Sequence, residues 1–260
     1  MTLNSRNHTL LDNIRIVLVE TSHPGNIGAA ARAMKNMGLN RLALVNPVIF
    51  PDTEASARAS GADDVLVGAQ VHDNLSDALA GCRLVFGSSA RIRSIRWPQV
   101  DPAQCARQAL AEVAAGDVAI VFGRERTGLT NEEMDRCHTL VHIPCNPDFS
   151  SLNVAAAVQV LSYELRKHAL SGGEIGETRE VADAASMEGF YRHLEQALVE
   201  LEFLDPTNPR KLMRHLHRLF NRARPEPVEI NILRGILSAA TGRKSMGGPL
   251  RPCNRGDQVE

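Results

Sequence analysis

Five short apolar runs, with little polar alternation inside them, constrain this chain more than any other feature: residues 14–19, 42–45, 84–86, 118–122 and 140–143. A strand with one wet face alternates apolar and polar residues. A run without that alternation is buried on both faces, as in a parallel sheet covered by helices. Helical stretches lie between the runs. In NIGAAARAMKNMG (26–38), Asn26 is placed to cap the start and Gly38 to follow the end. TNEEMDRC (130–137) opens with a capping box, Thr130 and Glu133. SLNVAAAVQVLSYELRKHAL (151–170) ends in Arg166, Lys167 and His168, which complement the helix dipole. Strands alternating with helices define an α/β domain with a largely parallel sheet over residues 13–170, after an extension of twelve residues.

The character changes at SGGEIGE (171–177), read with the next residues as a linker to 183. Three helical patterns follow, about 184–203, 207–222 and 226–241, forming a small helical extension; the Gly/Pro-rich tail 242–260 is expected to be disordered. Charge is sorted within the extension. Residues 174–205 carry nine acids and two bases, whereas RKLMRHLHRLFNRAR (210–224) carries six Lys/Arg and no acid. Arg210, Arg214, Arg218 and Arg222 recur every four residues and form one stripe, with Leu212, Met213, Leu216, Leu219 and Phe220 as the buried face. The stripe either pairs with the acidic helix before it or contacts an RNA backbone.

With 43% hydrophobic residues in 260, a sizeable core is available, and a net charge of −1 decides nothing about partners. The five cysteines form no CxxC pair and no zinc spacing, so they read as reduced thiols of a cytoplasmic protein, with no metal. The polar N-terminus lacks a signal-peptide core, and no run approaches the length of a membrane span. At 4%, aromatics are too few to suggest base-stacking platforms.

Ligands of open α/β sheets bind at the carboxyl ends of the strands. Four of the five loops there are rich in Gly, Ser or Asn, and Arg32, Arg91, Arg93, Arg96, Arg124 and Arg126 gather around them. Free backbone groups beside positive charge suit a phosphate-bearing partner. The dinucleotide fingerprint is absent. Gly123 and Gly128 have the glycine spacing of a P-loop, but Leu129 stands where its Lys is needed, and neither H-E-x-x-H nor G-x-S-x-G occurs.

Three stretches in this order, NIGAAAR (26–32), FGRERTGL (122–129) and IPCNPDFSSLN (143–153), resemble the three motifs of the SPOUT superfamily of RNA methyltransferases. Together with HRLFNRARPEPVEINILRGIL at the C-terminal end, they resemble its branch of tRNA ribose 2′-O-methyltransferases over roughly residues 13–240. The resemblance implies a SPOUT-type sheet with a C-terminal deep trefoil knot, a homodimer with its site close to the subunit interface, and S-adenosyl-L-methionine held by the knot loops. It implies methylation of the ribose at position 32 of the tRNA anticodon loop, with no DNA partner. Carried over residue by residue, Ser88, Ser89, Ala90, Gly123, Ile143, Ser150, Ser151 and Leu152 would hold the cofactor, with Ile143 and Leu152 on the adenine faces. Cys145 stands where small residues are usual, so any cofactor contact there would be through its main chain. Asn26, Arg32, Glu125, Ser150 and Asn153 match the catalytic set. A guanidinium stays protonated, so Arg32 is read as a grip on the phosphate beside the target ribose and a stabiliser of the developing alkoxide. Glu125 would hold an arginine or asparagine of the site. Arg91, Arg93, Arg124, Arg126, Arg214, Arg218 and Arg222 would face RNA. His23 is read as structural, and Trp97 either stacks on RNA or packs at a dimer contact. The alternatives are the same chemistry on ribosomal RNA and a catalytically silent RNA binder that keeps the fold.

Overall fold

The computed structural model describes residues 10–90, 97–171, 181–207, 209 and 211–242. Arg91, Arg93, Arg96, Arg210, most of the expected linker and the tail beyond Gly242 lie outside the described residues.

Seven parallel strands form one sheet: β1 (Ile14–Val19), β2 (Arg41–Val45), β3 (Gln70–His72), β4 (Cys82–Ser88), β5 (Gln99–Val100), β6 (Asp117–Phe122) and β7 (Thr139–Val141), in the order β3-β2-β1-β6-β4-β7-β5. The helices are α1 (Pro24–Asn36), α2 (Thr53–Ala59), α3 (Asp63–Val67), α4 (Leu75–Ala78), α5 (Pro102–Glu112), α6 (Asn131–Asp135), α7 (Val154–Leu170), α8 (Ala184–Glu200), α9 (Leu212–Ala223) and α10 (Pro227–Ala240). Every residue of β1 is buried. Ile14, Ile16 and Leu18 face a core shared with α1, α5 and α7, while Val17 and Val19 face a second core containing Leu75, Met134 and Leu140. Two covered faces are why the run does not alternate.

The five expected strands are present, with β4 longer and β7 shorter than their apolar runs. Ile143 falls beyond the end of β7, in the loop that follows. The polar three-residue edge strand β3, the two-residue β5 and helices α2 to α5 were not expected. Helix α5 carries a readable start signal, the Asp101/Gln104 capping box with Pro102 at N1. Helix α1 starts earlier than expected: Pro24 takes its first turn and His23 its cap position, so Asn26 is not the cap. Its side chain is turned to the site instead. Gly38, at φ +81°, does follow the end of the helix. A Cβ on Gly28 would lie 1.9 Å from the Ala55 carbonyl oxygen, so α1 and α2 meet closely there.

The extension has its own small core of Met187, Phe190, Tyr191, Leu194 and Ile230, with Phe220 edge-on to Phe190 at 4.8 Å between centroids. Met213, Leu216 and Phe220 of α9 pack against it. Leu219 does not: it is 45% exposed. Another face of α9 docks on α6. Arg214 Nε donates to Asp135 Oδ1 at 3.1 Å, and Asn221 Nδ2 donates to the Asp135 and Cys137 carbonyls at 3.0 and 3.1 Å. Covering these two adjacent rows leaves Leu219 on the far side. Arg214 therefore answers an acid of the α/β domain and not the acidic helix before it. Trp97 is neither an RNA platform nor a dimer contact; it is buried in the second core, and its Nε1 donates to the Cys137 carbonyl at 3.0 Å.

Candidate active site at the carboxyl ends of the strands

A cavity of about 250 Å³ opens beyond the ends of β4, β6 and β7. Ser88, Ser89, Ala90, Gly123, Ile143, Ser150, Ser151 and Leu152 all line it, together with Glu125, Arg126, Leu129, Cys145 and Val154. The segment after β6 closes on itself. Gly128 N donates to the Arg124 carbonyl at 2.9 Å, and Gly128 holds φ +68°. A Cβ on Gly123 would stand 2.2 Å from Gly128 C, so only glycine permits this closure. The apolar side chains of Leu129, Ile143, Leu152 and Val154, with the backbone around Gly123, make a place for a flat heteroaromatic ring.

From Glu125 on the lining, residues far apart in sequence form one chain of hydrogen bonds. Asn153 caps α7 by accepting from Ala155 N at 2.9 Å. Its Nδ2 donates to Asn26 Oδ1 at 2.9 Å, and Asn26 Nδ2 donates to Glu125 Oε1 at 3.0 Å. Glu125 also accepts from the backbone N–H and hydroxyl of Ser22. Burial alone would raise the Glu125 carboxyl, but the bonds from Asn26 and Ser22 outweigh it and hold it below its ordinary value. Of the two partners expected for Glu125, the structure assigns the asparagine.

Arg124, on the cavity wall, is already paired with two acids. Its Nε donates to Glu20 Oε2 at 2.7 Å and its Nη1 to Glu133 Oε2 at 3.0 Å. The hydrogen bond from Arg124 lowers the Glu20 carboxyl, and the two acids raise the guanidinium further above its ordinary value. Glu20 reaches over from a left-handed residue at the end of β1, φ 47°. Glu20 and Ser22 were missed from sequence; both lie in the loop after β1, but nothing in their spacing names their partners. Arg32 stands on the exposed face of α1, outside the cavity lining, with Nη1 3.4 Å from Ser60 Oγ. Arg218 is half-buried and Arg222 exposed on α9. Among the described residues no cluster of three or more His, Cys, Asp or Glu could hold a metal ion, and no helix is long and apolar enough to cross a membrane.

Residues 13–163 match the SpoU rRNA Methylase family, and the glycine-closed loop, the serine-lined cavity and the Asn26–Asn153 amide pair all lie within that span. Residues 185–249 match the C-terminal domain of the tRNA methyltransferase TrmJ. The tRNA (cytidine/uridine-2′-O-)-methyltransferase TrmJ of Citrobacter koseri is 53% identical over 235 residues, covering 88% of this chain and 97% of that protein. The crystal structure of TrmJ from Z. mobilis superposes with a TM-score of 0.78 at 35% identity, over 86% of this chain and 97% of that one. A probable methylase family protein from Haemophilus influenzae gives 0.61 at 45% identity, over 90% and 97%. The chain thus belongs to the SpoU methylase family, in its TrmJ branch.

Proposed function

We propose that the protein methylates the 2′-hydroxyl of the ribose at position 32 of the tRNA anticodon loop, using S-adenosyl-L-methionine, as a cytoplasmic homodimer whose sheet loops are threaded in a trefoil knot. The observation that carries this reading is the cavity backed by the Glu125–Asn26–Asn153 chain. Ile143 and Leu152 would flank the adenine, while the backbone around Gly123 and the hydroxyls of Ser88, Ser150 and Ser151 offer polar contacts to the rest of the cofactor. When bound, the cofactor supplies an electrophilic methyl group on a sulfonium. Glu125 fixes the Asn26 amide, and through it the start of α7, so that the ribose meets a preorganised wall. Arg32 lies outside the cavity of its own chain. In a homodimer with sites near the interface, Arg32 of the partner subunit grips the phosphate next to the ribose and stabilises charge developing on O2′. Arg126, Arg218 and Arg222 face the tRNA backbone, with Arg91 and Arg93 assigned the same role on sequence grounds.

The C-terminal match to the TrmJ domain favours tRNA over ribosomal RNA. Methyl transfer from labelled cofactor to unmodified tRNA, mapped by nuclease digestion and mass spectrometry, tests the reading. A 2′-O-methyl at position 32 is the expected product. Cofactor binding without tRNA methylation would move the substrate to another RNA, and no cofactor binding would leave a silent RNA binder.

A further inference from the structure

The loop between β7 and α7 carries one large side chain that neither core nor cavity uses. Phe149 is 80% exposed, the most exposed of the large hydrophobic residues after Val67 among the described residues. It directly precedes Ser150, Ser151 and Leu152, all three on the cavity wall. The loop that presents it is pinned at both ends. Asp148 N donates to Asn146 Oδ1 and Phe149 N to the Asn146 carbonyl, each at 3.0 Å, while Asn153 caps α7 just beyond. The phenyl ring is thus displayed at the rim on a fixed turn.

The charge of the loop narrows what it can meet. Residues 143–153 contain one acid, Asp148, and no Lys, Arg or His. The loop has no cation, and its Ser150, Ser151 and Asn153 are turned to the cavity and the α7 cap, so what it offers at the rim is the apolar ring. A ribose whose 2′-oxygen enters the cavity brings its base to the rim, out of its own stack, with a π-face needing cover. Stacking on an aromatic ring is nearly indifferent to which base is stacked. That indifference suits a site whose relatives are named for both cytidine and uridine.

We propose that Phe149 is the stacking platform for the base of the nucleotide being methylated. This rests on the ribose-methylation reading above, and the test separates the two. The wild-type protein is first assayed on unmodified tRNA; absence of transfer there overturns that reading and this proposal with it. Given transfer, Phe149→Leu, which keeps an apolar side chain of similar reach, lowers kcat/KM for tRNA on the order of 10-fold to 100-fold. Phe149→Trp stays within about threefold of wild type, because it too offers a stacking face. Cofactor Kd and the sedimentation of the Leu variant match wild type. On tRNA whose target nucleotide lacks its base, the wild-type and Leu proteins become equal. Full activity of Phe149→Leu on intact tRNA overturns the proposal. So does a Leu variant that dissociates into monomers or loses cofactor affinity, since Phe149 would then be packing against a second subunit or supporting the cavity.

Discussion

Helix α6 separates two regions that bring arginines and acids together to opposite effect. On its cavity side Glu133 and Glu20 share Arg124, and the neighbouring Glu125 is held below its ordinary value by amide and hydroxyl donors. On its other side Asp135 meets Arg214 of the extension, yet its carboxyl is raised, because burial outweighs the guanidinium. At the cavity, hydrogen bonding wins over desolvation; at the seam, desolvation wins over pairing. The cavity's carboxylates are only partly removed from water, so they stay charged and can aim amides and arginines at low cost in stability. The seam buries Asn221, Tyr191 and His138, and Asn221 joins the extension to the α/β domain by donating to the Asp135 and Cys137 carbonyls while accepting from the Tyr191 hydroxyl. One region is arranged to hold a shape, the other to hold two parts together.

That contrast predicts where mutations register. Glu125→Ala should lower methyl transfer on the order of 100-fold, since misplacing a reactant by about 1 Å has that effect. Its unfolding free energy should stay within about 1 kcal/mol of wild type. Parallel kinetics and urea titrations check this; full activity would remove Glu125 from the site, and a matching loss of stability would erase the distinction between the regions. Asn221→Ala should do the reverse. It leaves the Asp135 and Cys137 carbonyls without their donor and the Tyr191 hydroxyl without its acceptor. The expected cost is about 2–3 kcal/mol of stability, with cofactor Kd unchanged by calorimetry.

Much of the frame could be read from sequence because burial on both faces leaves an unbroken apolar run, as in β1 and β6. Strand β3 could not: it is a three-residue edge strand whose Gln70 and Val71 are exposed, so no core pattern marks it. The residues of the cavity were legible because strand-end glycines, serines and the three motifs mark it locally. What joins them was not. Asn26 and Glu125 are 99 positions apart, Arg124 and Glu20 104, Arg214 and Asp135 79. A charged side chain read alone looks free, and only the fold shows that Arg124 and Arg214 are already answered.

Acidification should separate the regions again. His138 is held neutral by burial, its value pushed down to about 4, and burial also lowers His217, which stacks on Tyr191. The unfolded chain binds protons at these sites near 6.5, so below that pH it holds more protons than the native state and stability falls. The slope is at most about 1.4 kcal/mol per pH unit for each histidine. Asp135 opposes this near the acid end, because its raised carboxyl is relieved by protonation. Glu125, lowered from 4.5, stays ionised through the same window. Urea midpoints at pH 7, 6 and 5 should therefore fall while cofactor Kd holds steady; a Kd that tracked the midpoint would mean the seam supports the cavity.

The smallest expected effect lies within one helix. Arg214, Arg218 and Arg222 recur every four residues, and each such step drifts about 40° around a helix. Arg214 consequently falls at the seam, while Arg222, two steps on, is exposed. Arg214→Ala should cost about 1 kcal/mol of stability, the usual scale for losing one hydrogen-bonded contact. Arg222→Ala should leave the unfolding curve unchanged. If it touches one phosphate, it weakens tRNA binding a few-fold and reduces the slope of log K against log salt by about 0.7–0.9. Filter binding at four salt concentrations resolves that change. An identical salt slope for wild type and Arg222→Ala, beside a reduced slope for Arg214→Ala, would reverse the assignment and turn the seam-facing row of α9 toward RNA.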